Sequence, residues 1–284
     1  MNTALRATSG PVIALDTSTA AMAAAVMRDG EVLGEVQSLA ERNHSVHVIS
    51  HIKSLLASSQ VAPEELAGII VGNGPGSYTG MRIAVTAAKT LAWCWGKPLV
   101  AVSSLEAIAY GAWHRGTEGL PFGLDGNHEE EPTPDREHWV LPIMDARRGQ
   151  VYCAGFLCRP RGMSATGWSR FAGDGVRLME QWVDAIVERV SAMARLGVSG
   201  MPVIWLTGDL SLHEASAERL AAEAAKHGAD VRLLPYVMEG RFLAELGRFR
   251  LAAGEWDDVH ALIPNYTQLT EAEVKLKAKQ AGEA

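Results

Sequence analysis

The chain has 284 residues, 48% of them hydrophobic and 21% charged, with a formal net charge of −7. This composition suits a globular protein with enough chain for one large core or two lobes, and its acidity argues against stand-alone nucleic-acid binding, which needs clustered Lys and Arg. Cys94, Cys153 and Cys158 make neither a CxxC pair nor an even framework, and no signal core or long apolar run occurs, so a reducing cytoplasm without membrane contact is expected.

In chain order, residues 11–16 (PVIALD) read as a buried strand ending in an acid. Residues 17–19 form a polar turn, 20–28 a second strand, and Asp29-Gly30 a hairpin into a third strand at 31–38. A helix is expected over 45–58, where Val48, Ile52, Leu55 and Leu56 recur at helical spacing. Pro63 opens a short helix, 68–72 is a buried strand and 73–80 (NGPGSYTG) a glycine-rich loop. A second long helix spans 81–95, stopped by Gly96-Lys97-Pro98, then a strand at 99–102 and a helix starting at 103–106. This βββαβαβα order is the repeating α/β unit of the actin-like, ribonuclease-H-like superfold.

Residues 114–138 are acidic and carry Pro and Gly, and are expected as an exposed loop insertion. Strands are expected at 139–144, ending at Asp145, and at 150–157, joined by Arg147-Arg148-Gly149. Residues 159–175 read as turns, 176–196 and 211–227 as helices, 203–206 as a strand, and 239–253 as a closing helix. The second lobe thus reads as a degenerate copy of the first. The expected division is lobe one at 1–110, lobe two at 111–235, a segment at 236–268 packing back on both, and a frayed tail at 269–284.

Few residues point to chemistry. Asp16, Thr17 and Ser18 stand at a strand end where actin-like proteins hold phosphate and metal, and Gly74, Gly76 and Ser77 open a helix whose N–H groups suit an anion. Against this, the loop lacks the Walker ending and the GxGxxG spacing, and a tight turn between packed elements is the preferred reading. A kinase or ATPase would need a second half, for which only Asp145 and Thr207-Gly208-Asp209 offer themselves. His44, His47 and His51 read as a polar helix start rather than a metal site, and no cofactor or metal is expected. Val48, Ile52 and Leu55, with Met81, Val85, Ala88, Ala92 and Trp95, follow coiled-coil-like steps whose small residues permit close helix approach, and are expected at a partner interface.

The chain resembles the TsaB (YeaZ) family through ALDTST (14–19), ERNHSVHV (41–48), GNGPGSYTGMRIAVTAAKTLAW (72–93) and PLVAVSSLEAIA (98–109), and more weakly through 144–152 and 263–269. The resemblance implies a two-lobed actin-like fold and a scaffold role in threonylcarbamoyladenosine (t6A) formation on tRNA. The implied partners are TsaD in a heterodimer, a TsaE-type ATPase on that heterodimer, a second copy when TsaD is absent, and tRNA only through the complex. It also implies an inert protein: where the catalytic TsaD carries a metal-binding HxxxH pair, this chain has Ser104 and Ile108, and isoleucine cannot ligate a metal.

Overall fold

The computed structural model describes residues 10–39, 44–117, 136–158, 168–198 and 200–267, with backbone alone at 39 and 44–47. The elements are β1 (Val12–Asp16), β2 (Ala21–Arg28), β3 (Glu31–Leu39), α1 (His44–Ser58), a 3-10 turn (Pro63–Glu65), β4 (Gly68–Gly72), α2 (Tyr78–Trp95), β5 (Leu99–Val102) and α3 (Ser104–Thr117). They continue as β6 (His138–Asp145), β7 (Gln150–Cys158), β8 (Trp168–Leu178), α4 (Met179–Arg195), β9 (Val203–Gly208), α5 (Glu214–Ala225), β10 (Asp230–Pro235) and α6 (Gly240–Ala252).

Two five-stranded sheets result, ordered β3-β2-β1-β4-β5 and β8-β7-β6-β9-β10. In each, the first three strands form an antiparallel meander, and the last two run parallel to the first. The second lobe is therefore a complete βββαβαβα copy, not a degenerate one. Two strands were absent from the expected order: β10, where no element was expected, and β8, which falls largely where turns were expected. Its Gly173-Asp174-Gly175 looks like a turn, and its pairing with β7 shifts register around Gly155. Two bulges let it bend without ending, because each extra residue locally increases twist. The 114–138 insertion also shrinks: α3 runs on to Thr117, β6 starts at His138, and residues 118–135 lie outside the described residues, as does the tail from 268.

Strand faces explain the layers. Ile13 and Leu15 point to one side of the first sheet, Val12 and Ala14 to the other, and all are buried. A strand covered on both faces is apolar at every position, as the VIAL of β1 is. Outside, α1 and α2 cover the first sheet, while α4 and α5 cover the second through Trp182, Val183, Ile186, Leu220 and Ala224. Inside, the last helices are exchanged. Helix α3, from the first repeat, lies on β6, β7 and β9, whereas α6, from the second, lies on β1, β2, β4 and β5. Absent side chains make this close approach possible. A Cβ on Gly247 would stand 2.4 Å from Ile70, and one on Gly116 would stand 2.4 Å from the Trp205 ring. The exchange fuses both inner faces, α3 and α6 into one central core.

The segment after α6 closes the open edge of the first sheet. Asp257 donates its N–H to Leu99 O at 2.7 Å and accepts from Ala101 N at 2.7 Å, and Arg250 donates to Ala101 O. A capped edge strand offers no free ladder to another chain.

The packing overturns the expected interface. Val48, Ile52, Leu55, Met81, Val85, Ala88 and Ala92 are all buried within the chain, and Trp95 packs partly buried against the same cluster. The 4-3 seam is real, but it faces the sheet. Small Ala88 and Ala92 bring α2 close to its own strands. Ala88→Glu is therefore expected to unfold the protein, not to separate subunits: an unpaired charge in the core costs several kcal/mol. Urea denaturation should show the loss directly.

One buried group makes stability acid-sensitive. His138 Nδ1 accepts both Trp113 Nε1 at 3.3 Å and Trp205 Nε1 at 3.2 Å, joining α3, β6 and β9. Only neutral imidazole can accept them, and burial, helped by Arg232 and Arg136, pushes its pKa down to about 4 from 6.5. Between those values the unfolded chain binds a proton that the folded one refuses. Stability should be full above pH 6.5, fall by about 3 kcal/mol as pH drops to about 4, and level off below. Urea midpoints across that range should flatten in His138→Gln if its amide oxygen replaces the acceptor.

Candidate functional site

The motif residues converge at the carboxyl ends of β1, β4 and β5. Asp16 ends β1 fully buried, and its Oδ1 accepts Ser18 N at 2.5 Å and Ser18 Oγ at 2.6 Å. Its Oδ2 accepts Ser104 Oγ at 2.5 Å. Ser104 is the first residue of α3 and also accepts Gly74 N at 3.0 Å while donating its N–H to Gly74 O at 2.9 Å. Burial raises the Asp16 pKa, and the hydrogen bonds from Ser104 and Ser18 oppose that rise.

The glycines serve this knot. A Cβ at Gly72 would stand 1.6 Å from Asp16 Oδ2, and one at Gly80 would stand 1.8 Å from Thr17 O. Thr17 Oγ1 donates to Gly80 O at 2.6 Å, and Ser77 N donates to Ser18 O at 2.8 Å. Gly76 likewise presses on Ser18 O, and Gly74 takes a left-handed φ of 99°. Asp16, Thr17, Ser18, Gly74 and Gly76 are all buried, so the turn and the loop use each other's polar groups, as in the tight turn preferred over phosphate contacts. Ser77 instead caps α2, its Oγ accepting Gly80 N at 3.3 Å. Because Ser77 already turns the chain, α2 starts at Tyr78, ahead of the expected residue 81.

Among the described residues, the second repeat's candidates for a completing half are engaged elsewhere. Asp145, at the end of β6, faces His213, whose Nε2 lies 3.4 Å from Asp145 Oδ1. Gly208 packs against Ile143 O, and Asp209 Oδ1 accepts Ser211 N at 3.2 Å and Ser211 Oγ at 2.7 Å, an Asx turn that satisfies itself. Ile108 is buried in the central core. No group of three or more His, Cys, Asp or Glu suited to a metal occurs among the described residues, and the side chains of His44 and His47 lie outside them.

An open feature lies on the outer side of α1 and α2. A groove of about 540 Å³ runs between them, lined by Val48, Ile49, Tyr78, Thr79, Arg82, Ile83, Thr86, Ala87 and Thr90. Ile49, Tyr78 and, beyond the groove, Trp93 are 40%, 50% and 67% exposed. The sequence carried the sign of this face: Arg82, Thr86, Thr90 and Trp93 recur at 4-4-3 spacing, but its polar members disguise it beside the apolar seam.

The family described as TsaD, tRNA N6-adenosine threonylcarbamoyltransferase, matches residues 28–159. The Bacillus subtilis (strain 168) tRNA threonylcarbamoyladenosine biosynthesis protein TsaB is 34% identical over 264 residues, 93% of this chain and 96% of that protein. Its Escherichia coli (strain K12) namesake is 30% identical over 143 residues, 50% of this chain and 53% of that protein. YeaZ from Pseudomonas aeruginosa has the same fold, with a TM-score of 0.63 at 22% identity over 90% of this chain and 99% of that one.

The knot yields a stability prediction. Ser104→Ala removes a hydrogen bond from a buried carboxylate and leaves Gly74 N–H without its acceptor. A loss of about 2–4 kcal/mol is expected from urea unfolding, with Ser104→Thr retaining part of the stability.

Proposed function

We propose that this chain, which belongs to the TsaB family and takes part in tRNA threonylcarbamoyladenosine biosynthesis, serves there as a binding subunit without chemistry of its own. The observation that carries this reading is the sealed Asp16. Both of its oxygens are engaged by Ser18 and Ser104, and no water-exposed carboxylate remains at the strand end to hold a metal–phosphate group. Ile108, buried among apolar side chains where the resemblance places a metal ligand in TsaD, supports it further.

The partner in this reading is a TsaD-family transferase, and the groove on α1 and α2 is its seat. The match of residues 28–159 to that family supports the idea. A protein with a related first lobe can present an equivalent helix pair, so the two meet about a near-twofold axis. Without the transferase, two copies of this chain pair through the same face. A TsaE-type ATPase joins the heterodimer, tRNA is met through the complex, and the work takes place in the cytoplasm. Trp93 is the expected anchor, since exposed tryptophans dominate interface energetics.

Reconstitution with the TsaD-family transferase of the same cell tests the reading. Co-purification and t6A formation should both require this chain. Trp93→Ala should weaken pairing by about 2 kcal/mol, roughly thirtyfold, with thermal melting unchanged. The chain alone should not turn over ATP; hydrolysis above about one per minute, against the 1–10³ per second of ordinary enzymes, would overturn the reading.

A further inference from the structure

The outer helix pair carries charge of one sign. Neither His44–Ser58 nor Tyr78–Trp95 contains an aspartate or glutamate, although the whole chain has a net charge of −7. Two cations stand exposed on this face, Lys53 on α1 and Arg82 on α2. The Arg82 guanidinium donates to Tyr78 Oη at 3.0 Å and lies 5.2 Å over that ring. Ion pairs among the described residues involve other side chains, and neither Arg82 nor Lys53 has a carboxylate partner there. The third cation, Lys89, is already used, donating to His260 O at 3.2 Å and Leu262 O at 2.7 Å. The groove itself contains no carboxylate.

We infer that this face selects an apolar helical partner bearing carboxylates opposite Arg82 and Lys53, in preference to a second copy of this chain. The inference rests on the groove being the partner surface. A twofold pair of identical chains buries the same patch from both sides. Whatever the register, neither cation can then meet a carboxylate on the opposing α1 or α2, and burying unpaired cations opposes association. A different protein escapes that constraint with one or two acidic residues. RNA is a poorer occupant: Ile49, Ile83 and Ala87 form apolar walls around a single groove cation, whereas phosphate binding requires several. The charge therefore ranks the two associations, and the acidic partner displaces the second copy.

The test uses the full chain and the purified TsaD-family transferase, with binding measured from about 0.05 M to about 0.5 M salt. Arg82→Glu should weaken transferase binding at least about tenfold and Arg82→Gln less, with wild-type affinity falling as salt rises, while self-association of Arg82→Glu stays unchanged or tightens. Transferase binding of Arg82→Glu within about twofold of wild type would overturn the inference. So would loss of self-association in that variant, or loss of RNA binding with transferase binding intact. Arg82 is exposed, and matching thermal melts establish that each variant folds. Thr86→Trp blocks the groove by bulk alone. If it leaves transferase binding intact, the groove is not the partner surface. If it abolishes binding while Arg82→Glu does not, the surface reading stands and the charge inference fails.

Discussion

Neither sheet can cover its inner face with its own repeat. Helix α3 leaves the first sheet at once for the second, and α6 returns to the first. Everything at the centre follows from that exchange. The two inner faces share one core, so the lobes stand or fall together. Glycines at 116 and 247 sit where a helix meets a foreign strand. The exchange also locates Ser104. Because α3 starts directly after β5, its first residue remains at the carboxyl ends of β1 and β4, within reach of Asp16, while its later turns lie under the other sheet.

The repeats match in topology and differ in what they do with one acid. Asp16 and Asp145 each end the central strand of their sheet. The first is closed off by two hydroxyls and a backbone amide, with a glycine loop folded tightly over it. The second is partly open and faces His213 across 3.4 Å. The first repeat has turned a strand-end acid into a structural clasp, and this rigid clasp sets the start of α2. Positions 78 and 82, at the mouth of the groove, inherit their placement from Asp16 through Ser77 and Gly80.

Much of this was legible in the residues. The apolar runs at 12–16 and 68–72, the Asp29-Gly30 hairpin and the Gly96 helix stop each have a local cause, and local causes can be read locally. Periodicity found the seam of Val48, Ile52, Leu55, Val85 and Ala88 but not which neighbour it meets, because a helix face packed on its own sheet and one packed on another chain obey the same spacing. The β8 strand was hidden by Gly173 and Gly175, whose role depends on β7 beside them. The Asp16–Ser104 bond joins residues 88 positions apart, and only the fold brings them together.

The exchange of helices also sets a timetable during synthesis. The first sheet can pair all its strands once Val102 has been made, but its inner cover, α6, is complete only at Ala252. At about 5–20 residues per second, the intervening 150 residues take roughly 8–30 s, counted as 252 − 102. Throughout that interval Val12, Ala14, Ile70 and Val100 lack their final lining. A ribosome making this chain therefore carries an apolar sheet without its final cover far longer than the microseconds its hairpins need to form.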